Sequence, residues 1–217
     1  MRAADPRLGG LFVLADDDPR WKWDPAAQAA AACAGGASVV QLRAKRSGDR
    51  AALAFAREIR ALTRRQGVLF FVNDRFDLAL AAEADGVHLG QDDLPPASLP
   101  ASARARLRIG RSTHSLEEAQ AAQREPIDYA AFGPVFETTS KEAPGAARGL
   151  AQLAEVARAV APLPLVAIGG IDAARIPELC AAGAAGVAVL SAVAGAEDPE
   201  AATRALVAAL RSGAPRA

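Results

Sequence analysis

Residues that could bind an anion recur directly after short apolar runs of this chain. Gln41, Arg43 and Lys45 alternate along one such run, so a β-strand would direct all three side chains to the same side. Two cations and an amide at a strand end are suited to binding an oxyanion. Taken alone, the motif fits a solvated strand end equally well.

Carboxylates follow the next two apolar runs and could bind a metal ion. Asp74 comes directly after Asn73, and Asp92 and Asp93 follow the run after that. Neighbouring parallel strands would bring Asp74 close to Asp92 or Asp93, and a few hard oxygen ligands with room for water and phosphate are what Mg²⁺ prefers. Each aspartate could instead cap a helix. Their occurrence at adjacent strand ends favours the metal.

Two later segments could hold phosphate groups. Residues 138–141 read Thr-Thr-Ser-Lys and could wrap an anion, with Gly145 and Gly149 allowing the segment to close as a lid; an ordinary surface loop is the alternative. Gly169-Gly170 ends another apolar run and would let the backbone approach a phosphate closely.

The histidines and cysteines carry less information. His88 lies within an apolar run, where a packed and hydrogen-bonded role is expected, and His114 could bind substrate or cap the next helix. Neither has a nearby Ser or Cys arranged as a nucleophile pair. Cys33 and Cys180 are far apart in Ala-rich stretches and are expected to be small buried side chains.

Eight apolar runs alternate with longer helical patterns and must position these residues. Such alternation predicts one α/β domain built as a (β/α)8 barrel, with functional residues at the strand C-termini. An open doubly wound sheet is the alternative, weakened because no Gly-x-Gly-x-x-Gly follows the first run. The predicted strands are residues 11–15, 38–43, 68–73, 86–89, 107–110, 129–133, 165–168 and 186–190.

Three of the helical patterns have clear boundary signals. Residues 49–66 end at Gly67, and Ser115 lies three residues before Glu118 as in a capping box. A third helix is predicted over residues 173–182, after Asp172.

Length and charge limit the possible functions. The 217 residues suffice for a single domain, with residues 1–10 and 212–217 expected to be loose. Lys and Arg together equal Asp and Glu in number, so the chain has no net positive charge that would favour binding to nucleic acid or to an anionic membrane. The start has no apolar signal-peptide region, and the cytoplasm is therefore the expected location. A homo-oligomer is possible.

Together these segments resemble the thiamine-phosphate synthase family, in the family's order and over most of the chain. The matching stretches are Gln41 to Lys45, Asn73 to Ala79, Asp85 to Asp93, Gly110 to His114, Asp128-Tyr129 with Gly133 to Phe136, Val166 to Ile171 and Gly186 to Ser191.

The resemblance implies a condensation of hydroxymethylpyrimidine pyrophosphate with thiazole phosphate that releases pyrophosphate and needs Mg²⁺. It implies metal ligation by Asp74 and Asp93, and catalytic roles for Arg43, Lys45, Ser112 and Lys141. Those four and Asn73 would hold the pyrophosphate, and Gln41 the pyrimidine. Among the remaining residues that the resemblance implies, Thr138 and Ser140 would face the thiazole, and Gly170, Leu190 and Ser191 would hold its phosphate. The other implied substrate-binding residues are Leu42, Ala44 and Thr139.

Two alternatives stay open. The sister group of thiazole tautomerases resembles this chain around residues 110–119 and 136–138, but it uses a His where this chain has Pro134. A non-catalytic barrel that binds a phosphorylated ligand is the other alternative, from a different class of protein.

Overall fold

The computed structural model of the protein describes residues 5–140 and 145–213, and a ring of parallel strands lies at its centre. Each strand pairs with the next in sequence and the last pairs with the first, so the sheet closes. The predicted (β/α)8 barrel is confirmed and the open sheet is excluded. The strands are β1 (Leu11–Asp16), β2 (Val39–Arg43), β3 (Leu69–Asn73), β4 (Gly86–Leu89), β5 (Arg108–Thr113), β6 (Tyr129–Phe132), β7 (Leu165–Ile168) and β8 (Gly186–Val189).

Helices follow the strands and cover the outside of the barrel. They are α1 (Pro25–Ala34), α2 (Asp49–Gln66), α3 (Phe76–Ala81), α4 (Ala101–Arg106), α5 (Leu116–Gln123), α6 (Gly149–Val160), α7 (Ile176–Ala181), α8 (Ser191–Ala194) and α9 (Pro199–Gly213). Two of them, α8 and α9, follow β8 and complete the ring against α1 and α7.

The boundary signals in the sequence have their expected effects with one difference. Helix α2 ends at Gly67, which adopts the left-handed conformation with φ 68°, and the Ser115 side chain accepts the Glu118 amide at 3.2 Å. The helix predicted over residues 173–182 begins only at Ile176. Asp172 is the cause, because its carboxylate accepts the Arg175 amide at 3.1 Å and forms a turn first.

An aromatic cluster fills the inside of the barrel. Tyr129 packs against Phe12 and Phe71 with ring centroids 5.2 and 5.7 Å apart, and Leu8 belongs to the same buried cluster. These side chains border an open space toward the carboxyl ends of the strands. The fold therefore offers a cavity at the end where barrel active sites are built.

The sequence predicts a loose start over residues 1–10, whereas the described part packs under the barrel. Pro6–Gly9 form a 3-10 helix, and Leu8 is 1% exposed. The Asp5 carboxylate holds Arg7 and Arg108, each at 2.8 Å. At the other end, α9 continues to Gly213, and residues 1–4 and 214–217 lie outside the described residues.

Asp5→Asn is expected to lower Tm at pH 7 by about 2–4 °C, the shift for ~1 kcal/mol in a chain of this size. The Arg7 hydrogen bond lowers the pKa of Asp5 against the opposing effect of burial. Because the folded pKa lies below the ordinary value, this stabilisation is present above that value and is lost as the pH falls through the folded pKa.

Thermal unfolding at pH 7 and pH 3 checks this result, and the difference from wild type should shrink at pH 3. Glu83→Gln is the control, because its ion pair with Arg64 lies in solvent. An equal loss at both pH values would show that the Asp5 charge is not the cause.

Candidate active site

The strand C-termini surround a cavity of about 300 Å³ with an apolar floor and a polar rim. Nine of the predicted site residues line it, which brings together residues from six segments of the chain. They are Gln41, Arg43, Asn73, Ser112, Thr138, Ser140, Gly170, Leu190 and Ser191.

Six described residues of the predicted site do not line the cavity, and two of them, Asp74 and Asp93, form the carboxylate pair described below. Leu42 is fully buried in the layer between the strands and the helices, because alternation along β2 turns it away from Gln41 and Arg43. Ala44 packs against the same layer, and Thr139 is exposed. Lys45 is half exposed and forms an ion pair with Asp74. The side chains of Leu42, Ala44 and Thr139 therefore do not line the cavity, and substrate binding at these positions stays a prediction. Lys141 lies outside the described residues.

Neighbouring strands fix the orientation of the polar groups on one wall. The Gln41 side-chain amide on β2 donates to the side-chain oxygen Oδ1 of Asn73 on β3 at 2.9 Å. The Asp17 carboxylate accepts the amides of Lys45 at 2.9 Å and Ser47 at 2.6 Å, which orders the turn after β2. This wall is thus held in place before any ligand binds.

Asp16 contacts the predicted site residue Arg43, and the sequence interpretation assigns Asp16 no role. Its side chain is 2% exposed, pairs with the Arg43 guanidinium and accepts the Trp21 indole N–H at 2.8 Å. Gln28 binds both backbone groups of Asp16 at 2.9 Å. One signal existed, since an acidic residue directly follows the apolar run that was predicted to end at Ala15.

His88 forms a hydrogen-bonded link across the inside of the barrel. Its two ring nitrogens lie 2.9 Å from the Tyr129 hydroxyl and 2.9 Å from the Ser112 hydroxyl. Burial raises the pKa of Tyr129 far above its ordinary value, so the phenol stays protonated. His88 thus has the packed role expected of it, and it also holds Ser112 at the cavity.

His114 is held at the rim by its neighbours. Its Nδ1 lies 2.6 Å from the Gly133 carbonyl oxygen, and its amide donates to the Glu118 carboxylate at 2.7 Å. The ring also lines the cavity.

The carboxylates of Asp74 and Asp93 lie together at the ends of β3 and β4. Burial and, second, a hydrogen bond with Asp74 raise the pKa of Asp93 above its ordinary value. Asp74 has a backbone φ of 63°, uncommon outside glycine, and its amide donates to the His88 carbonyl at 2.7 Å. Strain of this kind is typical of functional sites.

This pair fits a Mg²⁺ ion on chemical grounds. Two adjacent carboxylates repel each other and are stabilised by a cation, and Lys45 forms an ion pair with one of them, Asp74. Among residues 5–140 and 145–213, no group of three or more His, Cys, Asp or Glu side chains forms a metal cage. Two protein ligands leave positions for water and phosphate oxygens, as Mg²⁺ commonly requires.

The loops after β6 and β7 are in close contact. Gly169 and Gly170 have φ values of 105° and 62°. A Cβ on Gly169 would lie 2.5 Å from the Pro134 Cβ, and one on Gly170 would lie 2.3 Å from the Glu137 carbonyl oxygen. Glycine is therefore required at both positions. The lid formed by residues 138–149 stays a prediction.

Comparisons with known proteins agree with this geometry. The family model described as "Thiamine monophosphate synthase" matches residues 11–193. A thiamine-phosphate synthase of Anaeromyxobacter dehalogenans is 49% identical over 207 residues, covering 95% of this chain and 90% of the relative. One from Methanoculleus marisnigri is 51% identical over 175 residues, covering 81% and 82%.

A solved structure gives the same result. The thiamine phosphate pyrophosphorylase from Pyrococcus furiosus superimposes with a TM-score of 0.85 at 37% identity, covering 96% of this chain and 98% of that one. Within the part of the chain that the structure describes, no helix has the length and apolar character to cross a membrane. The chain belongs to the thiamine monophosphate synthase family.

Proposed function

We propose that the cavity condenses hydroxymethylpyrimidine pyrophosphate with thiazole phosphate to give thiamine phosphate and pyrophosphate. The chain is a transferase of thiamine biosynthesis, as its relatives' names state. The observation that supports this assignment most is that Arg43 and Asn73 line the cavity of a family member, while the Asp74–Asp93 pair lies where the same strand ends lead into their loops.

The reaction breaks the C–O bond between the pyrimidine methylene and the pyrophosphate, which leaves with the electron pair. The thiazole nitrogen then donates its lone pair to the methylene carbon and forms the new C–N bond. Negative charge grows on the leaving pyrophosphate, so stabilising that charge lowers the barrier. No protein nucleophile is needed.

The residues present can provide this stabilisation. Arg43, Lys45, Asn73 and Ser112 would donate to the pyrophosphate, with Lys141 as a further predicted donor. Asp74 and Asp93 would hold Mg²⁺, which supplies Lewis-acid stabilisation of phosphate oxygens when bound. Gln41, fixed by Asn73, would orient the pyrimidine above the aromatic floor.

The other substrate would occupy the opposite side. Thr138 and Ser140 would contact the thiazole, and their side chains already lie 3.3 Å apart. Backbone at Gly170, Leu190 and Ser191 would hold the thiazole phosphate. The apolar floor excludes water, which would otherwise compete for the methylene cation.

The two alternatives receive less support. Pro134 occupies the position where tautomerases have a His, and both carboxylates of the metal pair are retained. A purely binding barrel gives no reason for a strained aspartate next to a second carboxylate. Location in the cytoplasm, a single-domain organisation, the absence of nucleic-acid and membrane partners, and a possible homo-oligomer stay predictions from the sequence.

Incubation of the purified chain with both substrates and Mg²⁺ tests the proposal, with thiamine phosphate followed by fluorescence after oxidation. We expect product that disappears with EDTA, returns with excess Mg²⁺, and falls strongly in Lys141→Ala. Folded protein that binds thiazole phosphate but makes no product with any metal would contradict the synthase function.

A further inference from the structure

Arg148 lies on the wall of the cavity formed by the loops after β6 and β7. Its amide donates to the Pro134 carbonyl at 2.8 Å, and the next amide, Gly149, donates to Val135 at 3.0 Å. Pro134 in turn packs against Gly169. Arg148 is therefore held beside the Gly169-Gly170 turn, and it lines the cavity.

The side chain of Arg148 lacks the partners that the other cations of the site have. Its Nε is buried and makes no hydrogen bond within residues 5–140 and 145–213. Arg43 is paired with Asp16, and Lys45 with Asp74. A buried guanidinium donor without an acceptor is costly, so its presence beside a cavity points to an anionic ligand.

Arg175 is another cation near the Gly169-Gly170 turn, and its guanidinium already contacts protein groups. It donates to the Gly170 carbonyl, lies 3.7 Å from Asp172 and stacks on the Phe136 ring at 4.5 Å. Its role is to hold the turn rather than to contact a ligand. Arg148 thus offers a buried N–H donor without a partner among the described residues on this wall of the cavity.

We infer that Arg148 binds the phosphate of the thiazole substrate. This inference rests on the proposed function, in which backbone N–H groups near Gly170 and Ser191 hold that phosphate. Those groups are neutral, whereas a phosphate monoester carries up to two negative charges. A guanidinium can supply the missing charge and two parallel hydrogen bonds.

Arg148→Met is expected to raise KM for thiazole phosphate by about 10- to 100-fold, the usual loss for a charged hydrogen bond. KM for the pyrimidine pyrophosphate should stay within about twofold. Arg148→Lys should recover part of the loss because it keeps the charge. The control is Arg158→Met, an exposed arginine on α6, the helix that begins directly after Arg148, and it should change neither constant.

The unphosphorylated thiazole alcohol separates phosphate binding from a change in cavity shape. It should inhibit wild type and Arg148→Met equally, because the group that Arg148 contacts is missing. A raised KM for the pyrophosphate substrate, weaker alcohol binding in the variant, or unchanged constants throughout would each overturn the inference.

Calorimetric titration with thiazole phosphate distinguishes failure of this inference from failure of the synthase function, since binding requires no turnover. If wild type makes no product but binds thiazole phosphate and Arg148→Met does not, the inference stands and the proposed reaction fails. If wild type makes product and both proteins bind equally, the reaction stands and the inference fails. Wild type that does not bind thiazole phosphate also overturns the inference.

Discussion

Replacing Asp74 with Asn is expected to lower kcat/KM for thiamine phosphate formation by about 10³-fold. The change removes one of two carboxylates that would hold Mg²⁺ next to the leaving pyrophosphate. Metal stabilisation of a leaving group is worth several kcal/mol, and about 4 kcal/mol corresponds to this loss. The activity of wild type and variant as a function of Mg²⁺ concentration is the measurement, and the half-saturating concentration should rise.

The substitution is chosen to leave the backbone in place. Asp74 has φ 63°, and Asn tolerates the left-handed region as well as Asp does, so no new strain is introduced. The lost ion pair with Lys45 is partly exposed and contributes little stability. Tm should therefore change by only a few degrees, whereas Mg²⁺ should stabilise wild type more than the variant.

Asp92→Asn is the matched control, because Asp92 is an exposed neighbour of Asp93 in the same turn. It should retain activity close to wild type. The sequence alone allows either Asp92 or Asp93 as the partner of Asp74, and the proximity of Asp93 to Asp74, which raises the pKa of Asp93, favours Asp93. Equal losses in Asp92→Asn and Asp74→Asn would contradict the assignment of the metal pair.

The fold was largely predictable because parallel strands covered on both faces are continuous apolar runs. Strand β5 is the clearest difference, since it extends to Thr113 rather than ending at Gly110. The added residues are polar, but the barrel satisfies them: the Thr113 hydroxyl donates to Ala131 at 3.0 Å, and Arg111 donates to Gly90 at 2.6 Å. Hydrophobicity cannot predict a strand that long-range hydrogen bonds extend.

The site was predictable where adjacency follows from strand order. Gln41 with Asn73, and Asp74 with Asp93, are pairs on neighbouring strands in sequence. Leu42 was assigned to substrate from its place in a motif, although alternation along β2 buries its side chain elsewhere. Arg148 follows a polar segment with no periodic pattern, so only the three-dimensional structure shows that its side chain lines the cavity.

Strand order was not enough to predict the contact between Asp16 and Arg43, because this contact depends on the register between β1 and β2. In the β1–β2 pairing Asp16 lies opposite Arg43, which places the carboxylate against the guanidinium. Trp21 and Gln28 then reach Asp16 from the chain that follows β1. A sequence pattern does not set register to one residue, although a shift of one would face Asp16 to the other side of the sheet.

Asp16→Asn is expected to lower the free energy of unfolding by about 3 kcal/mol, and Tm by about 6–12 °C. Asn keeps an acceptor oxygen for Trp21 and nearly the same shape. The loss therefore reports the charge of Asp16, which leaves the buried part of Arg43 without its counter-ion. We also expect kcat/KM to fall by about 10²-fold, because a released Arg43 no longer presents its guanidinium to the pyrophosphate.

A double-mutant cycle with Arg43→Met separates these two effects. If the residues act as a pair, the double variant should be less destabilised than the sum of the single variants, by about 1–3 kcal/mol. Asp16→Asn should then cause no further loss of activity once Arg43 is absent, because a positioning residue acts only through the group it positions. Additive losses of activity would instead mean that Asp16 contributes independently of Arg43, and the missed carboxylate would need a role of its own in the reaction.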